Sequence, residues 1–175
     1  GMRSRFAPSP TGYLHLGNVW TALLCWLQTR QAGGTLILRI EDIDEQRSKS
    51  GFAEAFMADI RRLGLDWDEG PDMGGSYGPY VQSKRYFMYE EALNRLKRDG
   101  LSYPCDCSRA RLQRISSAPQ EGEYHGYDGH CYGLSEESRP EGKSPSLRLH
   151  VPDELITYTD SVYGAQSEDL SKECG

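Results

Sequence analysis

The chain has no apolar stretch long enough to span a bilayer. Its longest run, Val19 to Leu27, covers nine positions and includes Thr21, against the roughly 20 residues a crossing helix requires. No basic-then-apolar leader precedes it, so no secretory signal is expected and the sequence reads as cytoplasmic. Excess positive charge is missing too: 20 Lys and Arg stand against 26 Asp and Glu, a net charge of −6. A protein that wraps nucleic acid over its whole surface needs many cations, and this balance speaks against that mode. Cysteine is sparse and odd in number, five in all, at 25, 105, 107, 131 and 174, which argues against a disulfide framework and makes metal binding worth testing. Hydrophobic residues make up 37% of the chain and mean hydropathy is −0.67, polar but well short of a disordered composition. At 175 residues, the chain has the size of one ordinary domain, or of a large domain with a small insert.

The charge is unevenly spread. Residues 1–49 carry +2, 50–83 carry −4, 84–114 carry +4 and 115–175 carry −8. The basic stretch Lys84 to Arg114 reads either as a surface for a phosphate backbone or as a solvated helix face with ordinary ion pairs.

Arg3 to Ala7 reads as a short strand, followed by a Pro- and Gly-rich loop, Pro8 to Gly12. A helix is expected from Gly17 or Asn18 to about Gln31, apolar almost all round (Val19, Trp20, Leu23, Leu24, Trp26, Leu27) and so covered on both sides. Gly33-Gly34 stops it, and Thr35 to Ile40 reads as a strand buried on both faces, as in a parallel sheet. Together these make a βαβ unit. A second helix, Ser50 to Leu63, puts Phe52, Phe56, Ile60 and Leu63 on one face and ends at Gly64. Asp68 to Pro79 is a long loop. A third helix starts at a Ser83 cap and carries Tyr86, Tyr89, Leu93 and Leu96 as a core-packing stripe. Cys105 to Pro140 offers little apolar material for a core. Ser146 to Val151 alternates like a half-buried strand, Ile156 to Tyr163 reads as one or two more, and Asp169 to Glu173 as the start of a helix. The pattern is an α/β nucleotide-type domain with a small insert near 101–150.

The joint between the first strand and helix is the most informative segment: Arg5-Phe6-Ala7-Pro8-Ser9-Pro10-Thr11-Gly12-Tyr13-Leu14-His15-Leu16-Gly17-Asn18. In an open α/β sheet, ligands bind beyond the carboxyl ends of the strands, where loops meet helix N-termini. Free N–H groups at Gly17-Asn18 favour a phosphate, Gly17 lets a flat base or a phosphate approach the backbone, and His15 and Asn18 supply donors. The pattern is neither a P-loop nor GxGxxG. His15 also has a plainer reading, as a helix cap.

That run, R-F-A-P-S-P-T-G-Y-L-H-L-G-N, resembles the first signature of the glutamyl class I aminoacyl-tRNA synthetases, their form of the "HIGH" box. Leu38-Arg39-Ile40-Glu41-Asp42-Ile43-Asp44 with Arg47 resembles the R-I-E-D-x-D-x-x-R run of the same family, and Leu63 to Pro71 and Gly78 to Ser83 resemble its next landmarks in order. The resemblance implies a Rossmann-type parallel sheet carrying a small zinc-bearing insert. Residues 2–100 would be the N-terminal half of the nucleotide-binding domain, 101–150 the zinc-bearing, acceptor-binding-like insert, and 151–175 an incomplete return toward the catalytic domain. It further implies a ligase that activates L-glutamate with ATP and Mg2+. Arg5, Ala7, Ser9 and Glu41 would line the glutamate pocket, Arg5 gripping a carboxylate with two prongs and Glu41 holding the ammonium; the plainer reading of that pair is an internal salt bridge. Pro8, His15, Gly17 and Asn18 would bind ATP, with His15 and Asn18 catalytic. Asn18 stands where the box ends in His, which removes a titratable group and keeps a hydrogen-bonding one. In-line attack of a carboxylate on the α-phosphate needs positioning and charge stabilisation, not a protein nucleophile.

Cys105, Cys107 and Cys131 are three candidate thiolates in a segment poor in core material, which a four-ligand zinc would stabilise. Chemistry favours His130 or His125 as fourth ligand over a phenol with its high pKa. C-x-C followed by Y-x-x-x-C resembles instead the queuosine branch of the family, in which a Tyr completes the site, and so implies Tyr127. That branch attaches glutamate to the queuosine base of tRNA(Asp); the other charges tRNA(Glu) at its 3′ end. The tail Ser167 to Gly175 also resembles the queuosine branch. The family's second ATP signature, a Lys-bearing "KMSKS"-like loop, has no counterpart at its place, since Ser48-Lys49-Ser50 and Leu170-Ser171-Lys172 fall too early. This segment by itself is therefore expected to show little or no glutamate-dependent ATP–pyrophosphate exchange. The rival readings are a different adenylyltransferase and a non-catalytic zinc-bearing tRNA-binding module. A monomer is expected.

Overall fold

A computed structural model describes residues 1–44, 46–116, 127–134 and 144–170. The chain divides into two compact units, Gly1–Glu91 and Ala92–Gly175.

The first unit begins with β1 (Arg3–Phe6), α1 (Leu16–Gln31) and β2 (Thr35–Leu38). The strands pair in parallel, from Arg3 beside Thr35 to Phe6 beside Leu38, which makes α1 the crossover of a βαβ unit. Parallel bridges from Ile37 to Glu69 and from Ile40 to Val81 occupy the other edge of β2. Glu69 falls in the segment expected to be loop, yet its carbonyl accepts the Leu38 N–H at 2.8 Å. Helix α1 stops where left-handed Gly33 (φ 59°) lets the Gly34 N–H reach back to the Thr29 carbonyl at 2.9 Å. α2 (Phe52–Arg62) sends Phe56 and Ile60 into a core with Phe6, Leu36, Leu38 and Trp67. A 3-10 turn at Gln82–Arg85 then leads into α3 (Tyr86–Arg98).

Burial departs from the amphipathic reading at several places. On α1, Trp20, Leu24 and Leu27 are 61%, 42% and 48% exposed; Ala22, Leu23 and Trp26 pack on the core, and the opposite face looks outward. Leu63 is exposed because α2 ends at Arg62. β2 buries Leu36 and Leu38 on one face, while Thr35 and Ile37 on the other are half-buried. α3 has no buried residue: Tyr86 is exposed, and Tyr89, Leu93 and Leu96 are half-buried. Ser83 is not a helix cap but part of the 3-10 turn, with its Oγ bonded to Asp42 at 2.7 Å. Periodicity records where apolar groups lie on an element; tertiary partners decide which of them are covered.

In the second unit, β3 (Ser102–Cys105) pairs antiparallel with β4 (Ser146–Leu149), and α4 (Arg109–Ser116) lies between them in sequence. Neither β3 nor α4 has a sequence signal, both being short and polar. β5 (Leu155–Asp160) and β6 (Gly164–Asp169) form a hairpin. Its turn is pinned by the Asp160 carboxylate, which accepts the Val162 and Tyr163 N–H groups at 2.7 and 2.8 Å. Asp169 ends the strand and Leu170 is helical, so the helix expected from Asp169 opens one residue later, and 171–173 lie outside the described residues. Along β4, alternation would turn Leu147 and Leu149 inward; both are exposed, and Arg148 is the half-buried residue. Among the described residues of this unit, only Cys105 and Cys131 are buried. Among the described residues of the whole chain, no helix is long and apolar enough to cross a membrane.

Candidate functional site

Parallel pairing continues beyond the ends of β1 and β2. The Arg39 N–H donates to the Phe6 carbonyl and the Glu41 N–H to the Pro8 carbonyl, each at 2.9 Å. The loop after β1 and the acidic end of β2 are therefore laid side by side, next to the start of α1. Between the loop and the helix opens a cleft of about 410 Å³, whose lining includes Arg5, Ala7, Pro8, Ser9, His15 and Asn18. Thr21, one helical turn on from Asn18, also lines it and carries no signal in the sequence beyond its place in an apolar run. Glu41 and Gly17 are not among the lining residues, but the Glu41 carboxylate lies 3.9 Å from Arg5 and equally far from Arg39. The internal Arg5–Glu41 salt bridge of the plainer reading is thus present as a loose ion pair, too long for a hydrogen bond, and the Arg5 fork keeps its N–H donors for a ligand. The Arg5 side chain is 55% exposed.

His15 occupies the N-cap position in an extended conformation and makes no side-chain cap bond, so the plainer capping reading does not hold. Its imidazole lies against Gly17, where an added Cβ would sit 3.2 Å from two ring atoms. The first turn of α1 carries no acidic residue, which leaves its N–H groups and dipole available to an anion. Asp42, in the acidic run, is clamped by Ser83, whose N–H and Oγ donate to its two carboxylate oxygens at 2.8 and 2.7 Å. Both residues fall in family-like segments, but nothing in the sequence pairs positions so far apart.

A second constellation lies in the second unit. The sulfurs of Cys105, Cys107 and Cys131 all lie within 4.8 Å of one another, and the Cys107–Cys131 separation is 3.6 Å. The Tyr127 hydroxyl oxygen sits 3.4 Å from the Cys105 sulfur and 3.5 Å from that of Cys107, and accepts the Cys131 N–H at 2.8 Å. His130 does not join the group: it is exposed, and its backbone N–H donates to Asp128. His125 lies outside the described residues. Arg111 holds Asp128 at 3.1 and 2.5 Å and so braces the turn that carries Tyr127 and Cys131. Burial works to raise the Cys105 thiol, but contacts with Tyr127, Arg148 and the Cys107 backbone outweigh it and bring the pKa down to about 6. Burial pushes the Cys107 thiol up, and burial with the adjoining thiols raises the Tyr127 phenol. Four donors on a tetrahedral zinc with Zn–S bonds near 2.3 Å would stand about 3.8 Å apart. The three sulfurs and the phenol oxygen fit that spacing after small adjustments, and the thiolate-rich donor set suits the ion.

The family model described as "tRNA synthetases class I (E and Q), catalytic domain" matches residues 1–170. The chain belongs to this family. Its fold is accordingly that of the class I synthetase catalytic domain, with a parallel sheet. Among members of the family, it is 55% identical over 168 residues to a protein named glutamyl-Q tRNA(Asp) synthetase from Symbiobacterium thermophilum, covering 93% of this chain and 52% of that one. It is 46% identical to one of the same name from Nitratidesulfovibrio vulgaris, covering 99% and 55%. It is also 46% identical to a glutamate–tRNA ligase from Sulfurihydrogenibium, covering 99% and 37%. Among solved structures, a glutamate tRNA ligase from Elizabethkingia meningosepticum, determined with its amino acid, superposes with a TM-score of 0.72 at 33% identity over 95% of this chain and 36% of that one. The chain spans about half the length of the first two of these synthetases.

Proposed function

We propose that the protein carrying this chain activates L-glutamate with ATP and transfers the glutamyl group to the queuosine base of tRNA(Asp). The observation that supports this most is the extended backbone pairing of Phe6 with Arg39 and Pro8 with Glu41. It sets an open guanidinium and a carboxylate beside an anion-ready helix N-terminus. Arg5 would grip the side-chain carboxylate of glutamate, Glu41 would hold its ammonium, and Ala7 and Ser9 would line the pocket. The free α-carboxylate then attacks the ATP α-phosphate in line, forming glutamyl-adenylate and releasing pyrophosphate. His15 and Asn18 donate to phosphate oxygens where charge accumulates, Pro8 and Gly17 leave room for the nucleotide, and Mg2+ enters as the ATP counter-ion.

Cys105, Cys107, Tyr127 and Cys131 would hold one structural Zn2+, which supplies cohesion, not chemistry, to a unit poor in apolar core. By function, residues 2–100 belong to the nucleotide-binding half, 101–150 to the zinc-bearing insert and 151–175 to the return toward the catalytic domain. The compact-unit boundary lies slightly earlier, between Glu91 and Ala92.

The acceptor assignment draws on the names of the two relatives at 55% and 46% identity, and on the Tyr127 oxygen among the thiols. A second reading, charging of tRNA(Glu), is favoured by the glutamate–tRNA ligase at 46% identity over 99% of this chain. Full-length protein, ATP and labelled glutamate, offered queuosine-bearing tRNA(Asp), queuosine-free tRNA(Asp) and tRNA(Glu), separate the two. Label on the first RNA alone is expected; label on tRNA(Glu) replaces the proposal with the second reading.

A further inference from the structure

We infer that Arg148 is the counter-cation of an anionic metal–thiolate centre and the residue that positions Tyr127 within it, an inference that rests on the zinc reading above. The register of β4 on β3 places Arg148 opposite Tyr103, two residues before Cys105. Its guanidinium carbon stands 3.8 Å over the centre of the Tyr127 ring, and it also contacts the Cys105 sulfur. The Nε atom is buried without a hydrogen-bond partner. Among the described residues no carboxylate pairs with Arg148, whereas Arg111, which also reaches the Cys107 sulfur at 3.6 Å, has its charge matched by the Asp128 carboxylate.

Arg148 is half-buried, and shutting part of its guanidinium off from water with no opposing charge among the described residues is unfavourable. A divalent ion held by three thiolates and a neutral phenol carries a net charge of −1, an opposing charge that no carboxylate among the described residues supplies to Arg148. The attraction is mutual. Lying flat on the ring, the cation also fixes the phenol so that its oxygen faces the sulfurs. This explains why the β4 alternation is inverted, with the Arg inward and the leucines outward. Lys keeps the charge but not the planar face, so it replaces Arg only in part.

The test uses full-length protein as wild type, Arg148→Met, Arg148→Lys and, as a control for loss of one exposed charge on α4, Arg114→Met. Zinc content comes from elemental analysis, zinc affinity from competition with a chromophoric chelator, and ligand arrangement from the visible bands of the cobalt-substituted protein. Arg148→Met is expected to bind zinc about 10- to 100-fold more weakly, Arg148→Lys to fall between it and wild type, and Arg114→Met to match wild type. The cobalt bands change in the Met variant as the Tyr127 oxygen leaves the ion. Its melting temperature falls further below wild type in the zinc-loaded form than in the stripped form. Where the Met variant does not fold, Arg148→Gln takes its place with the same expectation. Equal affinity and equal cobalt bands in wild type and the Met variant, or equal melting losses with and without zinc, would overturn the inference while leaving zinc in place. A wild-type protein free of zinc with all thiols reduced would overturn the zinc reading and this inference together.

Discussion

The cleft beside β1 and the sulfur cluster beside β3 differ in what holds each in shape. Beneath the cleft lie Phe6, Leu38, Phe56 and Ile60, a conventional apolar core on which the loop from Ala7 to His15 rests. Around the cluster, among the described residues of that unit, Cys105 and Cys131 are the only buried side chains, and the rings of Tyr103, Tyr127, Tyr132 and His150, none of them buried, pack on one another in place of an apolar core. In the first unit, candidate chemistry is laid over a core that stands without it. In the second, the candidate ligands supply the only buried side chains among the described residues, so on the zinc reading their removal is expected to loosen the fold. On that reading, function is expected to be separable from structure in the first unit and not in the second.

The largest expected effect follows from that difference. Chelation of metal, or Cys131→Ser, is expected to abolish amide protection in β3 and β4 while β1, β2 and α1 stay protected. Structural zinc contributes roughly 10 kcal/mol or more in small folds of this kind. Hydrogen exchange reads both units at once, and protected β3–β4 amides after chelation would erase the distinction. The reverse experiment is Ile60→Ala, at a residue 3% exposed, which is expected to destabilise the first unit by about 2–5 kcal/mol and leave zinc content unchanged. All three tryptophans, Trp20, Trp26 and Trp67, lie in the first unit, so tryptophan fluorescence follows its melting separately.

A smaller change should separate site from core within the first unit. Gly17→Ala puts a methyl group 3.2 Å from the His15 ring in a helical turn that otherwise welcomes Ala. Melting should hold or rise slightly, while the KM for ATP in the full-length enzyme rises several-fold, about 1 kcal/mol in binding. Unchanged KM would mean the His15 ring plays no part in holding ATP.

The mildest perturbation is acid. Hydrogen bonds from the Trp26 indole and the Arg30 guanidinium hold Asp66 below the ordinary carboxylate range, and those from the Tyr80 hydroxyl and Arg3 do the same for Glu69. Depressed carboxylates add stability that is complete above their unfolded pKa, about 4, and is lost as pH falls through the lower folded values. Zinc binding needs deprotonated thiols, and burial holds the Cys107 thiol above its ordinary value, so binding weakens steadily as pH falls. The second unit should therefore loosen at a higher pH than the first, which loosens only below about pH 4. A single shared acid transition, by tryptophan fluorescence and tyrosine near-ultraviolet circular dichroism, would contradict this order.

The same contrast explains what the sequence could reveal. The elements β1, α1, β2 and α2 are legible because apolar periodicity and the stops at Gly33-Gly34 and Gly64 are local signals. The residues that meet in the cleft are legible because most of them come from one contiguous joint, Arg5 to Asn18. The Asp42–Ser83 clamp is not, since its partners are 41 positions apart and neither pattern alone requires the other. Arg148 is not either: alternation in Ser146 to Val151 announces apolar residues inward, and a site made of sulfur and a phenol reverses that preference. The outer face of α1 and the stripe of α3 show the same limit, because an apolar surface does not name what covers it.

The most direct test is glutamate-dependent ATP–pyrophosphate exchange by the full-length protein, wild type against Arg5→Ala, with tryptophan fluorescence confirming equal melting. The expected result is exchange that requires glutamate and whose kcat/KM for glutamate falls about 10- to 100-fold in the variant, the loss of a charged hydrogen-bonding partner. Exchange that needs no glutamate, or that is the same in both proteins, would contradict the assignment of the cleft.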